Sequence, residues 1–222
     1  MKRWLALLAC AALLITPSSA RAEGTEPTET DGTVSLAFEL PEDRAAYAYR
    51  LSDTYVTTRI SFGEAESFAF TLGASAQAVM FAWYSAPAAY VVTQQDAAGA
   101  VLGEPLTITN GILNELVDLD PDCARVNVLL NAEGAIAAVT AYAADADLPE
   151  NIQRWQPSPT AADLLLVVAE PGMEWKQFGA VLPDYAMERG VKTAVLYVSD
   201  YGKRERVEET LSALWAEGVR EY

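Results

Sequence analysis

From residue 32 to about residue 144, apolar and polar positions alternate in short runs separated by turn signals. Val34-Ser35-Leu36-Ala37-Phe38 alternates, and Thr57 to Phe62, Ser67 to Leu72, Val79 to Tyr84, Tyr90 to Thr93, Glu115 to Leu119, Arg125 to Leu130 and Ala135 to Tyr142 follow. A period of two sends successive side chains to opposite faces of a strand. Asp96-Ala97-Ala98-Gly99, Asn110-Gly111 and Asn131-Ala132-Glu133-Gly134 lie between the runs, and these residue types tolerate the tight backbone of a chain reversal. About eight strands in about 110 residues predict an all-β sandwich over residues 32–145, with a jelly roll as the natural two-sheet arrangement.

At Asp145 the texture changes. Asp147-Leu148-Pro149-Glu150 and Gln156-Pro157-Ser158-Pro159 bracket Trp155 in a proline-rich connector, read as a linker over 146–160. Beyond it the period lengthens. Leu164 to Val168 is a continuous apolar run suited to a strand covered on both faces, as in parallel sheets. Phe178, Val181, Leu182, Tyr185 and Ala186 follow helical spacing up to Gly190, with Pro183 expected to kink the helix near its middle. Thr193 to Val198 reads as a second buried strand, and Val207, Leu211, Leu214 and Trp215 as a second amphipathic helix closed by Gly218. The expectation for 161–222 is a partial α/β segment in the order β-α-β-α. Its two-stranded sheet would leave an open edge, to be covered by the sandwich or by a partner.

The first 22 residues read as an address. Lys2 and Arg3 precede the apolar run Trp4 to Ile15, and Ala20-Arg21-Ala22 offers small residues where a signal peptidase cuts, so cleavage is expected after Ala22 and the chain is expected to be exported. Leu7-Leu8-Ala9-Cys10 has the outline of a lipoprotein box. Only nine residues precede the cysteine, however, and apolar sequence continues after it, so Cys10 is read as part of the discarded peptide. Residues 23–31, rich in Thr, Glu and Gly, read as a disordered leader. No later run approaches the roughly 18 apolar residues of a membrane-spanning helix.

Charge narrows the partners. The chain carries 31 acidic against 15 basic side chains, a formal charge of −16, and three of the basic residues, Lys2, Arg3 and Arg21, lie in the first 22 residues. Such a surface repels nucleic-acid backbones and anionic lipid head groups. The chain contains no histidine, which removes Ser-His-Asp catalysis and leaves Cys123 without the base a cysteine nucleophile requires.

Asp118, Asp120 and Asp122 place three carboxylates at alternate positions, a weak outline of a calcium loop. Cys123 stands where the loop glycine would be and Leu129 where the closing glutamate would be, so an EF-hand is excluded and an acidic turn is the plainer reading. Trp83, Tyr84 and Tyr90 could stack on sugar rings at a loop end of the sandwich, although aromatics in a strand pattern are more often core.

Several motifs in the C-terminal part belong together: Leu148-Pro149-Glu150-Asn151-Ile152-Gln153-Arg154-Trp155, the strand Ala162 to Val168, Phe178-Gly179-Ala180-Val181-Leu182-Pro183, and Arg206-Val207-Glu208-Glu209. On these residues the segment from Asp147 to Tyr222 resembles the opening part of the PIG-L (LmbE-like) family of zinc-dependent N-acetylglucosamine deacetylases, which implies a Rossmann-like fold. The sandwich, with Arg50-Leu51-Ser52-Asp53 leading into Tyr55-Val56-Thr57-Thr58, looks like a discoidin-like (F5/8 type C, galactose-binding-like) domain. The resembled family ends its first strand in His-Pro-Asp-Asp-Glu, with the histidine and second aspartate on zinc and the first aspartate as base. Here the sequence reads Glu170-Pro171-Gly172-Met173-Glu174. Of the ligand and base positions, Glu170 alone could still ligate, since a thioether is a poor zinc ligand and Gly172 cannot take a proton.

The sequence therefore reads as an exported PIG-L-family protein without catalysis, with no cofactor expected and no metal site beyond the weak candidates Glu170, Asp118, Asp120 and Asp122. One alternative is a carbohydrate or cell-surface binding module acting through the sandwich. A second is the N-terminal part of a split deacetylase.

Overall fold

The computed structural model describes residues 32–53, 55–150, 152–156, 160–199 and 204–221. The leader readings at Cys10 and Ala22, and the segment 23–31, lie outside them. Ten strands build the expected sandwich. One antiparallel sheet has the order β1 (Thr33–Val34), β10 (Gly134–Ala143), β5 (Ala76–Ser85), β8 (Asn114–Asp118), with β3 (Ile60–Phe62) also on β10; the other runs β2 (Leu36–Glu39), β4 (Ser67–Leu72), β9 (Arg125–Leu130), β6 (Tyr90–Gln95), β7 (Leu106–Ile108). The chain changes sheet at almost every connection, so neither sheet can form without the other.

The alternation explains the core. Phe68, Phe70 and Leu72 from β4 and Val126, Val128 and Leu130 from β9 meet Val79, Phe81 and Trp83 from β5 and Ile136 from β10 in one buried cluster. Aromatic rings bridge the two sheets, with Phe70–Phe81 centroids 6.2 Å apart and Trp83–Tyr90 at 5.0 Å in the edge-to-face geometry that ring quadrupoles favour. Burial raises the Tyr90 phenol far above its ordinary range, and its hydroxyl lies 3.4 Å from the Trp83 indole nitrogen.

The first predicted strand divides. Its residues belong to two elements because the chain leaves one sheet for the other at Ser35, where Gly73 packs so closely that a side chain would collide with the serine hydroxyl. The run at Thr57 begins only at Ile60.

Beyond the sandwich, β11 (Leu164–Val168) and β12 (Thr193–Tyr197) pair in parallel, in register from Leu164 with Thr193 to Val168 with Tyr197. The single kinked helix expected over 178–186 does not form. Helix α1 (Met173–Phe178) stops ahead of Gly179, and a π-helical turn starts at Pro183 (Pro183–Glu188), since proline tolerates a helix start and lacks the donor an interior position needs. Helix α2 (Arg204–Ala216) follows, and Gly218 at φ 89° reverses the chain after it.

The two-sided burial expected of β11 and β12 is corrected. Leu166 and Val168 pack with Leu182, Leu214 and Val219, but Leu165, Val167, Leu196 and Val198 are exposed, because the helical layer lies on one face of the pair among the described residues. The connector is tied to both parts. Arg154 pairs with Asp118 at 2.9 Å, Trp155 packs edge-on against Trp215 at 5.3 Å, and the Gln156 amide donates to the Arg220 carbonyl at 2.7 Å. At the start of α2 the Arg204 guanidinium is buried and its Nε donates to the Trp83 carbonyl at 2.9 Å, joining helix to sandwich.

Candidate functional site

Between β2 and β3 the chain makes a long excursion that carries more exposed aromatic surface than any strand. It opens with a turn in which the Arg44 amide donates to the Pro41 carbonyl, then coils into a 3-10 helix, Ala45–Leu51. Two devices hold the excursion down. Leu51 is completely buried in the sandwich core, and Arg44 makes a bidentate contact with Glu66 at 2.6 and 2.8 Å while lying 5.2 Å from the Phe62 ring centre. The hydrogen bonds from Arg44 and from the Gly63 amide hold the Glu66 carboxyl below its usual range. Asp53 fixes the exit by accepting hydrogen bonds from the Tyr55 amide (2.9 Å) and the Thr58 hydroxyl (2.8 Å), an Asx turn.

This frame leaves Tyr47, Tyr49 and Tyr55 facing solvent, Tyr49 at 61% and Tyr55 at 68% exposure. Arg50 lies over the Tyr47 ring at 4.5 Å and within 6.0 Å of Tyr49, and its Nη1 donates to the Arg59 carbonyl at 3.4 Å. Arg59 in turn stacks on Tyr84 of β5, its guanidinium carbon 3.9 Å from the ring centre. Tyr47, Tyr49, Arg50, Arg59 and Tyr84 thus form one connected surface of flat rings and planar cations.

The residues singled out from sequence divide sharply. Trp83 and Tyr90 are core residues, at 0% and 1% exposure, as aromatics in a strand pattern more often are: their strand phase turns them inward. Tyr84, one position out of phase with Trp83, turns outward into the surface just described. Sequence reasoning missed Tyr47, Tyr49, Arg50, Tyr55 and Arg59. The available signal was Tyr47-Ala48-Tyr49-Arg50 in a segment with no strand to put it in the core.

Asp118 pairs with Arg154, and the Asp120 carboxylate accepts from the Asp122 amide at 2.9 Å, so these side chains are occupied in separate local contacts. Among the described residues no group of three or more His, Cys, Asp or Glu side chains converges as a metal site.

The loop after β11 places its two carboxylates apart. Glu170 is exposed, whereas Glu174 is buried and accepts from the Gly172 amide at 2.8 and 3.0 Å; Gly172 has φ 91°, a left-handed conformation that glycine adopts without strain. Pro171 is buried and Met173 packs beside the C-terminal cluster. Glu217, buried at the end of α2, is pushed up to about 7 by burial and by the neighbouring Glu174. Cys123 is a buried free thiol that burial pushes up, the opposite of what a thiolate nucleophile needs. A cleft of about 180 Å³ between β8 and the connector, lined by Asn114, Glu115 and Trp155, falls below the usual range for small-molecule pockets.

No family model and no curated protein matches the chain. Solved structures similar to it include a pectin binding carbohydrate binding module (14% identity, covering 54% of this chain and 96% of that one, TM-score 0.39) and the lectin domain of lectinolysin complexed with Lewis B antigen (16%, 54% and 98%, 0.38). The family 32 module from C. perfringens NanJ in complex with galactose is similar at 11% identity, with 50% and 98% coverage and a TM-score of 0.37.

Proposed function

We propose that this protein is a carbohydrate-binding module whose discoidin-like β-sandwich takes sugar at the Tyr47 and Tyr49 surface of the excursion between β2 and β3. The supporting observation is the exposed tyrosines themselves, held on a loop that Leu51 and the Arg44–Glu66 pair preorganise. A pyranose ring presents a flat face of C–H groups, weakly polarised and apolar. Such a face gains dispersion and electrostatic contact from an aromatic ring, while its hydroxyls stay in water or reach nearby donors. Large exposed rings cost free energy unless a partner covers them, and loops on a rigid sandwich are where binding residues accumulate. The preformed loop lowers the ordering cost of binding.

A glycan array probed with the full chain tests this. Binding to a defined saccharide class is expected, and replacing Tyr47 and Tyr49 together by Ala should weaken it about tenfold or more with the fold intact. A chain that binds no saccharide, or a double variant that binds as the parent does, overturns the reading.

For residues 147–222 we propose descent from PIG-L-type deacetylases without retained catalysis. The β-α-β-α order and the parallel pair support the descent, and Gly172 and Met173 at the base and ligand positions support the loss of catalysis. Stoichiometric zinc in purified protein together with acetate release from an N-acetylhexosamine would refute it.

A further inference from the structure

The charge of the tyrosine surface runs against the charge of the chain. With 31 acidic and 15 basic side chains, a cation has many carboxylates to choose from, and five of the described arginines take one. Arg44 pairs with Glu66, Arg125 with Glu39, Arg154 with Asp118, Arg189 with Asp184 and Arg204 with Glu208. Arg50 and Arg59 have no carboxylate within 4.0 Å among the described residues; each lies on a tyrosine instead. The acid nearest Arg50 in sequence, Asp53, has its oxygens occupied by the Tyr55 amide and the Thr58 hydroxyl.

A guanidinium stacked on a ring keeps its in-plane N–H groups directed sideways, where a bidentate acceptor can approach. Arg50 spends one of them on the Arg59 carbonyl, a contact that brings the two cations onto the same surface. We infer that this surface selects an anionic sugar, one whose ring lies on the tyrosines while its carboxylate or sulfate group is held by Arg50 and Arg59. This rests on the carbohydrate-binding reading above and adds the chemical class of the ligand. An anion bound at these guanidinium edges supplies the countercharge that neither arginine has among the described residues, and a carboxylate, or two oxygens of a sulfate, matches the paired N–H donors of such an edge. The strongly acidic remainder of the molecule opposes non-specific attraction of polyanions, so recognition depends on these two side chains.

The test is calorimetric titration of the full chain with four probes: a short oligouronide, its carboxyl-reduced neutral counterpart, a sulfated oligosaccharide of similar length, and an acidic peptide. The expected order places at least one anionic probe about tenfold or more ahead of the neutral one, with the advantage shrinking as salt rises. Preference between carboxylate and sulfate identifies the source of the anion. Arg50→Ala with Arg59→Ala should bring the anionic probes down to the affinity of the neutral one, so the ratio between charged and neutral sugar, rather than either affinity alone, is the readout. Thermal melting confirms the fold, and the Arg50→Lys, Arg59→Lys pair should restore part of the advantage by returning charge without the planar edge. Equal affinity for charged and neutral sugars overturns the anionic class and leaves carbohydrate binding standing. Binding of no sugar at all overturns both readings, and so does an acidic peptide that binds tighter than every sugar.

Discussion

The sandwich and the C-terminal β-α-β-α part contain strands of similar apolar content, yet they bury them differently. In the sandwich each sheet supplies the other's missing layer, so Phe70, Phe81, Trp83, Val126 and Ile136 are all fully enclosed. In the C-terminal part a parallel pair has a helical layer on one side, and Leu165, Val167, Leu196 and Val198 face outward, Val198 at 74% exposure. The difference teaches that an apolar run specifies a strand but says nothing about how many of its faces will be covered. That depends on how many other elements the chain brings to it.

The comparison can be broken most directly in the core. Phe81→Ala removes a ring that touches Phe70, Trp83 and Tyr90, and should cost about 4 kcal/mol by urea denaturation, a large share of a domain's usual stability. A loss below about 1 kcal/mol would mean the sandwich is not the cooperative unit. Arg204→Ala deletes the donor to the Trp83 carbonyl and the partner of Glu208, and is expected to cost about 2 kcal/mol. Limited proteolysis should then cut near the start of α2 while the sandwich resists; unchanged digestion would show that the two parts hold together without this contact.

A smaller effect sharpens the electrostatic side. Glu217 holds its proton up to about pH 7 in the folded chain, while the unfolded chain releases it near the ordinary value of 4.5. The folded state therefore binds more protons between those values, and stability falls as pH rises from about 4.5 to 7, then levels off. Glu217→Gln should flatten that slope and raise stability at pH 8 by on the order of 1 kcal/mol, because the neutral amide costs less to bury than a carboxylate and is not repelled by Glu174. An unaltered slope from pH 5 to 7 would assign the dependence elsewhere. The smallest effect lies on the open sheet face. Leu165→Asn should change stability by less than about 0.5 kcal/mol, against a cost of several kcal/mol for Leu166→Asn one residue later, on the packed face. Comparable losses would show that the exposed face is covered in solution.

The strands were legible because alternation leaves a mark on the sequence at each turn of the ladder: the runs Ser67 to Leu72 and Arg125 to Leu130 match β4 and β9 to the residue. The edge strand Leu106–Ile108 was not, since two of its three residues are exposed and three residues carry no period. The 3-10 helix Ala45–Leu51 was equally silent. Its Ala-Tyr-Ala-Tyr repeat has a period of two and so imitates a strand, while the geometry is set by the plug at Leu51 and the clamp at Arg44. Of the tyrosine–arginine surface, Tyr84 was within reach, because a strand that turns Trp83 inward must turn its neighbour outward.

The amino-acid sequence by itself determined the strand runs, the change of texture at Asp145, the acidic surface and the exclusion of histidine chemistry, since each depends on residue type or on neighbours a few positions away. The tertiary structure decided which faces are covered, that Gly179 and Pro183 divide the expected helix into two pieces, and that Arg50 and Arg59 meet Tyr47, Tyr49 and Tyr84 on one surface. Arg59 and Tyr84 are brought together by the paths of β3 and β5 beside β10, a long-range pairing that no local pattern encodes.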